Sequence, residues 1–152
     1  MRVPTHSIQV AFIVRGETMR EILFRGKTLT DKWVEGAYYK QEEFYGDKED
    51  AHIIITSKET LDNDFALESC IVIPETLGQY TGLTDKNGTK IYEGDIVKAD
   101  YDLDDIFYVD WEECNLEYSL INKKMSYSLC CVHKDDIEVI GNIHDTPELL
   151  EG

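Results

Sequence analysis

A mostly β fold, built as a small and strongly bent sheet, is what this sequence predicts, and three observations predict it. Turn residues are closely spaced through Leu77–Lys98, where Asp85-Lys86-Asn87-Gly88 and Glu93-Gly94-Asp95 each separate short apolar runs. Short runs rich in β-branched and aromatic residues recur along the chain, bounded by Gly, Pro, Asn or Asp. Only Asp145–Leu150, near the end, carries helix-start chemistry. The central stretch reads as a β-hairpin with arms at Gln79–Leu83 and Lys90–Tyr92, reversed at Asn87 and Gly88, which tolerate positive φ at low cost. A second sharp turn at Gly94 and Asp95 then releases Ile96-Val97 into a further strand.

Residues 1–18 show no clear period. Arg15-Gly16-Glu17-Thr18 can be encoded as a purine-rich ribosome-binding sequence just upstream of Met19, so translation is expected to start at Met19 and residues 1–18 to be a non-native extension. From Arg20 the pattern is strands and turns. Arg20–Arg25 closes at Gly26, and Lys32–Lys40 runs around Gly36, where a glycine inside a strand marks a bulge or a close backbone approach. The acidic connection Gln41–Asp50 leads into a buried strand at Ala51–Thr56. Leu61–Leu67 reads as either strand or loop, and Ser69–Ile73 is a strand stopped by Pro74.

Later strands are expected at Leu116–Ile121, Tyr127–Val132 and Ile137–Ile143. Asp145-Thr146-Pro147-Glu148 places a capping Thr, Pro at the first helical position and an acid in the first turn, which predicts a short C-terminal helix. Residues 19–76 and 77–152 are expected to form an N-terminal and a C-terminal β region of one compact unit, a size that supports a single core.

Charge narrows the function classes. The 152 residues hold 31 Asp and Glu against 15 Lys and Arg, a formal net charge of −16, which repels phosphate backbones and argues against direct nucleic-acid binding. No apolar run approaches the roughly 20 residues of a membrane span, and Ile8–Val14 is short even for a signal-peptide core. The expected compartment is the cytoplasm. Cys70, Cys114, Cys130 and Cys131 show no C-x-x-C spacing and are expected to be small buried hydrophobes.

The most biased segment is Asp100–Glu117, with eight carboxylates, no Lys or Arg, and interleaved aromatics. Its Asp100-x-Asp102-x-Asp104 spacing starts like a calcium loop, but Asp105 stands where glycine is wanted and Trp111 where Glu is. A solvated loop or strand edge, whose charges discourage edge-to-edge pairing, is the expectation. No catalytic motif is present, and Cys131 with His133 is a nominal thiol–imidazole pair only. No cofactor or metal is expected. Tyrosines are numerous, among them Tyr38, Tyr39, Tyr80, Tyr92, Tyr101 and Tyr108, and tyrosine suits both barrel cores and protein interfaces.

The runs FRGK (Phe24–Lys27), WVEG (Trp33–Gly36), Pro74–Lys98 and EVIGNIHDTPELL (Glu138–Leu150) resemble the YopX family of small phage and prophage proteins, over nearly the whole chain from Met19 to Leu150. The resemblance implies a mostly β protein with an SH3-like barrel, placed here in the second half, encoded by a phage or prophage and without an established activity. It supplies no catalytic residues.

Together these readings give a non-enzymatic accessory protein of the bacterial cytoplasm that binds another protein, host or phage, and that has the exposed edges to form a homo-oligomer. The candidate partner surface is Tyr101, Asp102, Asp104, Asp105 and Tyr108, and the structural turns are Asn87, Gly88, Gly94 and Asp95. The alternatives are an acidic DNA mimic that occupies the nucleic-acid site of a host enzyme, and an uncharacterised enzyme or metal-binding protein.

Overall fold

The computed structural model describes residues 20–42, 50–59, 65–99 and 105–151. Among them eleven strands form two antiparallel sheets. β1 (Phe24–Lys27), β2 (Trp33–Gln41), β3 (Ala51–Glu59), β4 (Phe65–Ile71), β5 (Gly78–Thr84) and β6 (Lys90–Tyr92) make the first, in the order β4-β3-β2-β1-β5-β6. β7 (Asp95–Ala99), β8 (Asp105–Glu112), β9 (Glu117–Ile121), β10 (Ser126–Ser128) and β11 (Ile137–Asn142) make the second, in the order β10-β9-β8-β7-β11.

The turns follow from the residues that carry them. In the β5–β6 hairpin Gly88 sits at φ 82°, the left-handed region that a side chain resists. Asp85, 2% exposed, organises that turn: Oδ1 accepts the N–H groups of Asn87 and Thr89, and Oδ2 accepts that of Val139 in β11. Burial works against the carboxylate, but the three backbone donors outweigh it and hold its pKa below the usual range. Gly94, at φ 81°, hands the chain from the first sheet to the second. Its N–H donates to the Val109 carbonyl and its own carbonyl accepts from Ile143 N–H, so the handover is tied to β8 and to the residue after β11.

One core cluster lies on one face of the second sheet. Val97, Ala99, Phe107, Val109, Leu120 and Ile137 pack there with Ile91 from β6 and Leu129. Alternation along β8 sends Phe107 and Val109 inward and Ile106 and Tyr108 to the outer face. Gly36 in β2 marks a close approach, as expected: a Cβ there would lie 2.1 Å from the Ile55 carbonyl oxygen of β3.

The structure corrects several expectations. Neither sheet closes into a barrel among the described residues: β4 and β6 end the first and β10 and β11 the second. The C-terminal helix is a single 3-10 turn, Pro147–Leu150. Thr146 makes no cap bond to it, because its hydroxyl is engaged with the backbone of Asn142 at the end of β11. Asp105–Glu112 is an interior strand between β7 and β9, not an edge, since Phe107 and Val109 carry enough apolar surface to anchor it in the core.

Gly26 lies inside β1, opposite Val34, and does not end it. The strand expected at Tyr127–Val132 stops at Ser128 and continues as a 3-10 turn, Leu129–Cys131. That turn leaves Cys130 and Cys131 exposed, as Cys114 is in the β8–β9 turn, and Cys70 is half-buried, so none of the four cysteines is a fully buried hydrophobe. No helix among the described residues is long and apolar enough to cross a membrane. The extension at residues 1–18 and the start at Met19 lie outside the described residues.

Candidate functional site

Two of the places among the described residues where polar and aromatic side chains meet could serve as a site. The first is the seam between the sheets. Arg25 projects from β1 with its guanidinium 5.0 Å from the Trp33 ring centroid and 4.8 Å from that of Tyr92. Its Nη2 pairs with Oδ1 of Asp95, which is 1% exposed, and Oδ2 of Asp95 accepts the Tyr92 N–H at 2.7 Å. Burial pushes the Asp95 carboxyl up; Arg25 and the Tyr92 N–H pull it back only in part.

Around this pair the other charges are matched in turn. Glu35 accepts from Lys90 at 2.7 Å and from the Tyr92 hydroxyl at 2.5 Å, and burial together with Glu35 raises the Tyr92 phenol. Asp145 accepts from Lys27 Nζ, Trp33 Nε1 and Asn142 Nδ2 at 2.6, 2.7 and 3.0 Å. Those three donors, Lys27 first, hold its carboxyl well below the usual carboxylate range. An open hollow of about 410 Å³ lies over Arg25, Trp33, Glu35, Tyr92, Asn142 and Asp145. The cations and carboxylates here are paired within the chain, so the seam works as an electrostatic latch.

The second place is a groove of about 450 Å³ on the outer face of β8. Ile106 and Tyr108 form its floor, and Leu149 and Leu150 of the last 3-10 turn form one wall. The β9–β10 turn forms the other. There Asn122 Oδ1 accepts from the N–H groups of Lys124 and Met125, which sets Lys123 and Lys124 on the rim with Asp105.

The sequence-predicted residues fall as follows. Asp105 and Tyr108 line this groove together, whereas Tyr101, Asp102 and Asp104 lie outside the described residues. Asn87, Gly88 and Gly94 sit in turns, and Asp95 is also the latch carboxylate. His133 directs Nδ1 to the Asp135 N–H, while the Cys131 sulfur lies 4.0 Å from that of Cys130, a neighbour that raises its pKa. Several carboxylates of the acidic stretch serve the chain itself: Glu112 accepts from Ser119 and Asn115, and Glu117 from Ser128. No group of three or more His, Cys, Asp or Glu among the described residues is arranged to hold a metal ion.

Sequence reasoning missed the latch, although Arg25, Trp33, Glu35, Tyr92, Asp95 and Asp145 all lie within the four runs quoted for the family resemblance. Charged and aromatic residues inside those runs were the signal. It also missed Leu149 and Leu150, read as helix, and Lys123 and Lys124 as groove walls.

Comparison with known proteins agrees with this fold. Protein EF1440 from Enterococcus faecalis, known from a crystal structure, is 25% identical to the chain, with a TM-score of 0.52 over 86% of this chain and 98% of that one. No curated protein matches. The family described as YopX protein matches residues 23–151, which takes in both the latch and the groove. On that match, over most of its length, this chain belongs to the YopX family.

Proposed function

We propose that this chain is a non-enzymatic protein-binding module, a phage- or prophage-encoded accessory protein of the bacterial cytoplasm, and that the groove over β8 receives an extended segment of its partner. The groove itself carries the reading: its floor and one wall are apolar, through Ile106, Tyr108, Leu149 and Leu150, and its rim is polar through Asp105, Asn122 and two lysines. Apolar floors with polar rims are how proteins grip peptide segments. Tyr108 is the natural anchor, because tyrosine offers a large rigid face at low entropic cost.

A photo-crosslinking residue placed at Tyr108 tests this against one placed at Tyr39, on the other sheet. A discrete protein adduct formed from position 108 and absent from 39 supports the reading, and it should disappear in the Leu149→Asp background. Equal crosslinking from both positions, or none from 108, overturns it. The second reading, an acidic mimic of nucleic acid, rests on the net charge of −16. It requires the adduct to fade steeply with rising salt, whereas an apolar groove holds its partner. Self-association through the exposed strand β4 is the remaining proposal, and light scattering at increasing concentration tests it.

A further inference from the structure

We propose that the groove over β8 continues past Tyr108 into a pocket that takes a Lys or Arg side chain, so that the partner segment carries a basic residue two positions from its apolar anchor; this rests on the groove receiving a partner segment. Ile106, Tyr108 and Asp110 share the outer face of β8, because alternate residues of a strand face one way, and they follow one another at roughly 6.8 Å. The groove lies over the first two. The last two line a second pocket of about 210 Å³. Tyr108 belongs to both, so a segment laid along β8 crosses from one to the other. An extended segment has the same period of two. An apolar side chain seated against Tyr108 and Leu149 therefore places the side chain two positions away over Asp110.

The lining of this second pocket selects its occupant. Glu75, Glu93 and Asp110 bring three carboxylates to it, and Leu77, Ile143 and the Tyr108 ring bring apolar surface. That combination suits an organic cation: the carboxylates meet the ammonium or guanidinium while the apolar walls hold its methylene stem, a contact that a bare metal ion cannot use. Burial pushes the Glu93 carboxyl up, against the Gln79 N–H that it accepts, and the like charge of Asp110 adds to the push. A cation bound beside the two acids relieves both.

His144, which also lines the pocket, is held below the usual histidine range by burial and by Arg25, so at neutral pH it adds no positive charge there. Arg25 and Lys27, whose charges reach His144, are themselves paired with Asp95 and Asp145. At longer range the net charge of −16 draws a basic segment toward the chain.

The experiment pans a displayed library of short random peptides against the full chain and reads the enriched sequences. Lys or Arg should be enriched two positions before or after an apolar residue, and the affinity of a selected peptide should fall about tenfold in the double variant Glu93→Gln/Asp110→Asn. Both amides keep an oxygen to accept the Gln79 and Trp111 N–H groups, so the fold is retained. Glu113→Gln with Asp135→Asn removes two exposed charges elsewhere and should leave the affinity unchanged. An apolar motif enriched without a basic residue overturns the pocket's role and leaves the groove standing. So does a basic preference that survives Glu93→Gln/Asp110→Asn, or that the Glu113 and Asp135 changes weaken equally. No enrichment at all, or peptides whose binding Leu149→Asp does not weaken, overturns the groove as a docking site and this inference with it.

Discussion

Arg25 and Asp95 are paired across the seam between the two sheets, Nη2 to Oδ1 at 2.5 Å, with the Asp95 side chain 1% and that of Arg25 17% exposed. The pair joins β1 of the first sheet to β7 of the second, and the Trp33 and Tyr92 rings shield its guanidinium. Removing the carboxylate leaves the largely buried Arg25 guanidinium without its ion partner, so Asp95→Ala is expected to cost about 3–5 kcal/mol. Arg25→Met combined with Asp95→Leu should recover a large part of that loss, because the stranded charge is gone. Urea unfolding of the two single variants and the double variant measures the coupling.

Asp145 makes the latch sensitive to acid. Its folded pKa is depressed by Lys27, Asn142 and Trp33, so it contributes stability that is complete above the unfolded value of about 3.9 and is lost as pH falls through the folded value. Urea midpoints followed from neutral pH downward should therefore fall, and Asp145→Asn should flatten that dependence. The variant keeps an acceptor for Trp33 Nε1 but loses the ion pair to Lys27.

Asp85 uses its two oxygens for different tasks, which makes two substitutions informative. Asp85→Asn retains one carbonyl oxygen, able to serve Asn87 and Thr89, and loses the acceptor for Val139 in β11. Its expected cost is about 1.5–3 kcal/mol, that of one hydrogen bond to a charged group. Asp85→Ala should cost clearly more, since the turn donors lose their partner as well. Hydrogen exchange at Val139 should rise in both variants, and at Thr89 only in the alanine variant.

Gly36 admits no side chain, because a Cβ there meets the Ile55 carbonyl oxygen, a backbone atom that cannot turn aside. Gly36→Ala is expected to cost about 3 kcal/mol or more, at or above the top of the usual overpacking range, through separation of β2 from β3. A thermal melt compared with that of Ala37→Gly, one residue on, separates this clash from a loss of strand propensity.

Leu116 in the β8–β9 turn adopts φ 55° and is 74% exposed, a left-handed conformation that costs a branched side chain and brings no burial in return. Leu116→Gly should raise stability by up to about 1 kcal/mol, read from the shift in urea midpoint.

Legibility in the sequence tracked distance along the chain. The β5–β6 hairpin and the Gly94 turn were readable because Asn87, Gly88 and Gly94 act on their own backbone. Most strands were readable because short runs of β-branched and aromatic residues stand between turn residues. The latch was not: Lys27 meets Asp145 across 118 positions and Trp33 meets it across 112, and no local pattern encodes which distant charge a residue will face. The acidic stretch misled for a related reason. Its carboxylates read as an edge, while Phe107 and Val109, in the same residues, bury β8 between two partners.

By itself the sequence determined the mostly β character, the positions of the reversals, the acidic charge and the kinship with the YopX family, because each is written in residue type and short-range order. Only the tertiary structure decided that the strands divide into two open sheets, that Arg25 and Asp95 join them, and that Tyr108 shares a groove with Leu149 and Leu150. Those outcomes depend on which distant surfaces bury one another, a balance of desolvation and pairing that exists only once the chain has folded.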